Sequence, residues 1–551
     1  MNPTSSNSRK SYRAPMLWLL LPWCSGLWLA SADRADSLSV LSLLVGSGLL
    51  LVGASVFLLE RFSGYFWIWK SCYAVAAGLL AMAWWHVQGP DPAAARHWRS
   101  LPVRECELVL RVDSIASHPR VSGHPVLECR ANVVAVRSPD PELLEPMPEE
   151  LNCHLTLPPE RGELREFGIL RARAVLHPPK QAGMPFLFRN GEVLEVIEAG
   201  RSSWDASLRY TILHRMILAL GKGEPKGFAY AGYLQSMLTG DTRFLAYPDK
   251  ERIRRAGVMH FFAISGFHLS MIALICYTTL QLVGASKRVS IVAMLAFCAG
   301  FVWVTGNPVS AQRAWLMLAC YFFAKLVLRK PDALASTAAA ALCVLWMDPT
   351  QLFSPGFQLS FIVVAGILTQ AIPLHERLVD SPFLSVGDAF RVTDRITNGL
   401  WKLRRFFLGA FSVSWTAFWM SAPVVASTFG SVPFAAIIVN TLLVPLFALI
   451  LITGFLSASL GVLGMWEVSG FLNQAAWLVL ASIDALLAIT DRLPLTLVME
   501  MPGALAAVAT LAVLGVGCGW NLFRRQHHAK LFLPPLISLG SLLLSLLLPR
   551  G

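Results

Sequence analysis

The chain has 551 residues, of which 55% are hydrophobic and only 15% charged, with a formal net charge of +12. Ordinary soluble domains carry about 25% charged residues, so the composition excludes a soluble globular protein and a disordered one alike. Apolar runs recur from Met16 almost to the last residue, which reads as a polytopic α-helical membrane protein of about 11 to 12 spans.

Arg9, Lys10 and Arg13 precede an apolar run from Ala14 to Ala30 that ends in Ala30-Ser31-Ala32. This also has the form of a cleavable signal peptide, but two more apolar runs, at 38–59 and 65–85, follow at once and favour retained spans. Further spans are expected near 258–284, 289–306, 310–328, 333–347, 356–372, 408–430, 434–464 (as one or two segments), 503–523 and 531–548. Region 465–492 is interrupted by Glu467, Asp484, Asp491 and Arg492, which suits an interfacial segment or one packed inside the bundle. The basic clusters Arg61 to Lys70, Lys287-Arg288, Arg329-Lys330, Lys402 to Arg405 and Arg524 to Lys530 fall on one side of this arrangement. The positive-inside rule makes that side cytoplasmic and places residues 86–205 outside. Five regions follow: membrane spans in 1–85, a loop domain in 86–205, amphipathic surface helices in 206–255, a core bundle in 256–465 and C-terminal helices in 466–551.

The loop contains short β-prone runs, among them CELVLRV from Cys106, ANVVAVR from Ala131 and EVLEVIE from Glu192, separated by Pro, Gly and Asp. They predict a small β-rich domain, an OB-like barrel or a sandwich. Such barrels often bind single strands, yet this one holds 14 Lys plus Arg against 17 Asp plus Glu and few aromatics. A structural or docking role is equally compatible. Three of the ten cysteines, Cys106, Cys129 and Cys153, lie here; in an oxidising compartment two of them would form a disulfide and leave one thiol over. No Cys or His spacing suggests a metal site.

Segments 207–220 and 227–241 alternate apolar and polar residues at helical spacing, and KERIRR (250–255) is basic, as expected of helices along the outer membrane surface. Next comes HFFAISGFHLSMIAL, from His260 to Leu274. In a continuous helix His260 and His268 would stand about 12 Å apart, too far to share a metal. A break at Ser265-Gly266 would free backbone groups, tolerable in a bilayer only inside protein or beside a wet cavity, and would aim a helix N-terminus into that space. A packed kink with locally satisfied histidines explains the same residues. A serine hydrolase does not, because G-x-S-x-G is absent. Arg313 lies several residues into an apolar span, where a charge needs a partner, either Asp241 or a passing phosphate. Gln358, Ser360 and Asn440 add further polar positions to apolar segments.

LTGDTRFL, RRAGVMHFFAISGFHLSMIAL, NPVSAQRAWLML, DPTQLFSPGFQLSF and NTLLVPL occur in this order and resemble the competence-protein ComEC family over roughly residues 205–465. The resemblance implies a bacterial inner-membrane channel that brings single-stranded DNA into the cytoplasm. By position matching it also implies that Asp241, His260, Ser265, Gly266, His268, Arg313, Gln358, Ser360 and Asn440 are candidates for the channel wall. Many members of that family carry a metallo-β-lactamase-like domain with an H-x-H-x-D-H signature; the twelve histidines here include no such arrangement. The expectation is therefore no enzymatic hydrolysis, no metal and no cofactor. Single-stranded DNA, an extracytoplasmic receptor or separate nuclease, and a cytosolic ATPase or helicase are the expected partners, the last because Walker A is absent. A transporter of another anion or polymer, and a non-conducting docking protein, are the alternatives.

Overall fold

The computed structural model describes residues 15–32, 66–88, 104–117, 120–121, 124–137, 151–156, 169–177, 186–198, 204–224, 230–327, 331–380, 395–490, 496–498 and scattered positions between 501 and 542. The expected span at 38–59 lies outside them, as do most of those at 503–523 and 531–548.

Helices α1 (Pro15–Ala32) and α2 (Phe66–Gln88) come first. They approach most closely where Gly26 meets the Gly78 backbone, leaving no room for a side chain at Gly26; small residues at such crossings let backbones touch when lipid offers no hydrophobic gain. Trp84, near the end of α2, stacks on Trp346 at 4.2 Å and donates its indole N–H to the Trp346 carbonyl.

Six strands follow: β1 (Arg104–Ser117), β2 (Arg120–Val121), β3 (His124–Arg137), β4 (Leu151–Thr156), β5 (Ile169–His177) and β6 (Phe186–Glu198). The sheet runs β1-β5-β6-β4-β3, and β1 also pairs with β3, so the order returns on itself. Every pairing in that ring is antiparallel except β4–β6. Register shifts after Val109, Val112 and Ile115 in β1 supply the bends that a curled sheet requires. Cys129 on β3 lies opposite Cys153 on β4, whereas Cys106 lies opposite Ala174 on β5.

The remaining chain is helical. It comprises α3 (Trp204–Gly221), α4 (Tyr230–Thr239), α5 (Tyr247–Arg255), α6 (Gly266–Leu282), α7 (Lys287–Val304), α8 (Val309–Leu326) and α9 (Ala333–Met347). Then come α10 (Pro355–Gly366), running through a π turn into α11 (Ile372–Asp380), α12 (Arg395–Phe429), α13 (Ala436–Val462) and α14 (Trp466–Thr490), and a short pairing of β7 (Ser431–Pro433) with β8 (Thr496–Val498). Among the described residues five helices are long and apolar enough to cross a membrane: Lys287–Val304, Pro355–Asp380, Trp401–Phe429, Ala436–Val462 and Trp466–Ala488.

Two expectations are refined. Segment 434–464 holds one helix, α13, continuous through Pro445. Region 465–492 contains α14, a continuous helix packed on α13, whose charges are paired: Lys222 Nζ lies 3.2 Å from Glu467 and Arg252 Nη1 3.0 Å from Asp484. Helices α3 and α4, expected along the membrane surface, turn Met216, Leu220, Leu234, Met237 and Leu238 into the main core with α13 and α14. Their attachment is polar as well as apolar: the fully buried Asn473 donates to the Ala219 and Lys222 carbonyls and accepts from Ser457.

Candidate functional site

The segment His260–Leu274 is broken where its sequence suggested. Met259–Phe262 forms a tight 3-10 turn, Ser265 is extended (φ −118°, ψ 174°), and α6 begins at Gly266. The two phenylalanines anchor the turn on α13: Phe261 stacks on Phe447 at 4.0 Å and Phe262 meets the same ring edge-on at 6.3 Å. Just upstream, Gly257 has φ +73°, and a β-carbon there would sit 2.8 Å from both Pro433 and Ala436. Only glycine serves both the left-handed turn and this approach.

His268 is fully buried and works as part of the helix cap. The Ser265 amide donates to its Nδ1 at 3.3 Å and the Ser265 hydroxyl lies 3.0 Å from the same nitrogen. With Nδ1 accepting, the ring proton resides on Nε2, which is buried and makes no hydrogen bond among the described residues. His260 is instead exposed, its ring tilted against Phe261 at 4.3 Å. The two histidines thus occupy different environments, and among the described residues no group of three or more His, Cys, Asp or Glu is placed to hold a metal.

Contacts between helix starts assemble the rest. Ser310 in the first turn of α8 donates to the Ile264 carbonyl at 2.6 Å, and a β-carbon on Gly266 would stand 3.8 Å from Ala314. On the same helix Arg313 reaches α10, where a β-carbon on Gly356 would stand 3.1 Å from Nη2. Gly257 joins this end to the start of α13 through Pro433 and Ala436. The N-termini of α6, α8, α10 and α13 therefore lie at one end of the bundle. Each contributes partial positive charge and unpaired amides. Trp85 packs edge-on against Phe353, 5.8 Å away and just before α10, so the chain leaves α2 toward β1 from this same end.

The sequence-derived residues distribute unevenly over this end. Ser265, Gly266 and His268 build the first turn of α6. Arg313 is 5% exposed and, among the described residues, has no hydrogen bond or ion pair; its Nε is wholly enclosed. Asp241 follows Gly240, whose φ is +76° and which packs on Ile264; its amide donates to Thr239 Oγ1. It is not the partner of Arg313. Gln358 donates to the Leu352 carbonyl at 3.0 Å and so fastens the turn before α10. Ser360 and Asn440 are half-buried, and Asn440 Oδ1 is enclosed without a donor among the described residues. Ser310, Ser354 and Gly356 were not singled out from sequence. The Ser354-Pro355-Gly356 run was the available signal, since Ser at N-cap followed by Pro at N1 marks a helix start.

Positive helix ends, a buried guanidinium and neutral polar groups, in a bundle with five helices long and apolar enough to cross a membrane among the described residues, define the class: a multi-pass α-helical membrane protein. The family model described as Competence protein matches residues 237–524, and the chain belongs to that family. ComE operon protein 3 of Bacillus subtilis (strain 168) is 27% identical over 137 residues, which cover 25% of this chain and 18% of that relative. No solved structure matches the chain.

Proposed function

We propose that this protein acts in DNA uptake during competence, as an inner-membrane channel that passes one DNA strand to the cytoplasm. The observation that carries the reading is the placement of four helix N-termini, those of α6, α8, α10 and α13, at one end of the bundle. Helix N-termini gathered at one end favour anions without the fixed excess charge that would trap a polyanion. In the orientation that puts the basic loops inside, this end faces outward, as does the β-rich loop that leaves α2 beside it. Five strands in a ring with one parallel pair, β4–β6, fit an OB-like barrel, which would stand over the entrance as a docking or strand-guiding element. Contacts with the strand are electrostatic and independent of sequence. A separate nuclease and a cytosolic ATPase or helicase supply strand degradation and energy.

The test is uptake of labelled single- and double-stranded DNA by cells or proteoliposomes carrying the wild-type chain, beside an Arg313→Ala variant shown to insert and fold. Protected single-stranded DNA that depends on the chain and falls with Arg313→Ala is the expected result. No uptake by wild type with partner proteins present overturns the reading, and uptake of a small anion with no effect on DNA replaces it.

A further inference from the structure

We propose that Arg313, the Ser354 hydroxyl and the first amides of α10 form a slot for one oxyanion of the phosphodiester class. Arg313 is 95% buried on α8 and pairs with nothing among the described residues. Natural membrane helices match such a charge with a partner or use it. Here the guanidinium does more than lack an acid, because it is laid against the positive end of another helix. Its Nη2 and Nη1 lie 3.1 and 3.7 Å from the point where a Gly356 β-carbon would stand, and Ser354 Oγ lies 3.6 Å from that point. The amides of Gly356 and Phe357, in the first turn of α10, have no acceptor among the described residues. The Ser354 side chain makes no capping bond.

A guanidinium, a hydroxyl and free amides thus share one small space, and among the described residues no carboxylate joins them. Asp348, the acid nearest in sequence, accepts from the Thr350 amide and hydroxyl and from Gln351 within its own turn. A bound anion reconciles the arrangement. The guanidinium fork matches two oxygens of a phosphate, Ser354 and the helix amides supply further donors, and the missing β-carbon at Gly356 keeps the approach open. One guanidinium balances the single charge of a phosphodiester, so binding leaves no net charge behind and release stays easy. Arg313 lies about 6 Å along the axis from the start of α8, near the end where the helix N-termini meet. The slot stands on geometry alone; that the phosphodiester belongs to a DNA strand rests on the function proposed above, since an anionic lipid headgroup presents the same group.

Thermal unfolding of the full chain in a phosphate-free maltoside detergent tests this, with four probes: inorganic phosphate, a thymidine oligonucleotide, its uncharged methylphosphonate twin, and phosphatidylglycerol. Phosphate and the oligonucleotide are expected to raise the wild-type Tm, and the methylphosphonate is not. Arg313→Met is expected to lose about tenfold or more in apparent affinity, and Gly356→Ala, which keeps the charge but narrows the approach, to fall between. Stabilisation by phosphate and not by the oligonucleotide upholds the slot and removes the DNA reading. Arg313-dependent stabilisation by phosphatidylglycerol alone upholds the slot with a lipid as occupant. No response to any probe, or an equal response in wild type and Arg313→Met, overturns the slot. If Arg313→Met does not fold, the contrast between the oligonucleotide and its uncharged twin in wild type, together with Gly356→Ala, decides.

Discussion

Arg313 and Gly356 meet so closely that a β-carbon on the glycine would lie 3.1 Å from the guanidinium Nη2. The contact joins the second turn of α8 to the first turn of α10 and brings a buried cation onto a helix N-terminus. Because the obstructing atom is the end of a long side chain, Gly356→Ala shifts the guanidinium by a few tenths of an ångström and leaves the fold intact. Crowding by an added methyl costs about 1–3 kcal/mol and alanine in place of glycine in a helix returns about 0.5–1 kcal/mol, so a small net loss of stability is expected, with a larger fractional loss of DNA uptake; thermal unfolding and transformation frequency, measured on the same variant, separate the two.

His268→Ala removes a fully buried ring whose Nδ1 accepts from the Ser265 amide. Loss of a cap costs about 0.5–2 kcal/mol, and the vacated ring volume adds to it. The expected phenotype is therefore lowered thermal stability, with any loss of uptake tracking the amount of folded protein. Uptake that fails at wild-type Tm and abundance would instead assign His268 a direct part in conduction.

Asn473 joins α14 to the end of α3 by donating to the Ala219 and Lys222 carbonyls, while Ser457 on α13 donates to its Oδ1. Asn473, Ser457 and Ala219 are fully buried, whereas Lys222 lies at the solvent edge. Asn473→Leu removes a donor from each carbonyl; the Ala219 carbonyl keeps the Ser469 hydroxyl and the Lys222 amide, so the expected loss is about 1–3 kcal/mol in all. A fall in Tm and earlier proteolysis within residues 204–224 are the measurements that check it.

The Arg252–Asp484 pair, 3.0 Å apart, ties α5 to α14 with side chains 29% and 42% exposed. Solvent screening at that exposure holds its contribution to about 0.2–1 kcal/mol. A double-mutant cycle with Arg252→Gln and Asp484→Asn should return a coupling in that range, smaller at high salt.

In the strand region the register separates three cysteines that composition leaves equivalent. Cys129 and Cys153 are directly opposed on β3 and β4, a spacing of about 4.5–5.5 Å between Cα atoms in antiparallel pairs that suits a disulfide. Peptide mapping of non-reduced protein is expected to find this pair joined and Cys106 free. A bond that includes Cys106 would overturn this pairing.

The break at Ser265-Gly266, the polar positions in apolar segments and the family resemblance were legible in the chain because each rests on local chemistry: a cap residue, a glycine, a charge where lipid forbids one. Helix existence was equally local, since runs of apolar residues leave the backbone no other way to satisfy its hydrogen bonds in a membrane. Region 465–492 was ambiguous for the opposite reason: Glu467 and Asp484 break its apolar pattern, and their partners, Lys222 and Arg252, are more than two hundred residues away.

The amino-acid sequence by itself marked a multi-pass membrane protein resembling the competence family, with either a break or a packed kink at Ser265-Gly266 and a charge inside an apolar segment at Arg313. Which groups meet was decided only by the tertiary structure. Asp241 is not paired with Arg313, His268 turns back to cap its own helix, and Gln358 fastens the turn before α10. Ser354 and Gly356, unremarkable in one dimension, stand beside the guanidinium. The physical reason is that a hydropathy pattern fixes which residues are helical and apolar, whereas the rotation and neighbours of each helix are set by close packing at positions such as Gly257, Gly266 and Gly356.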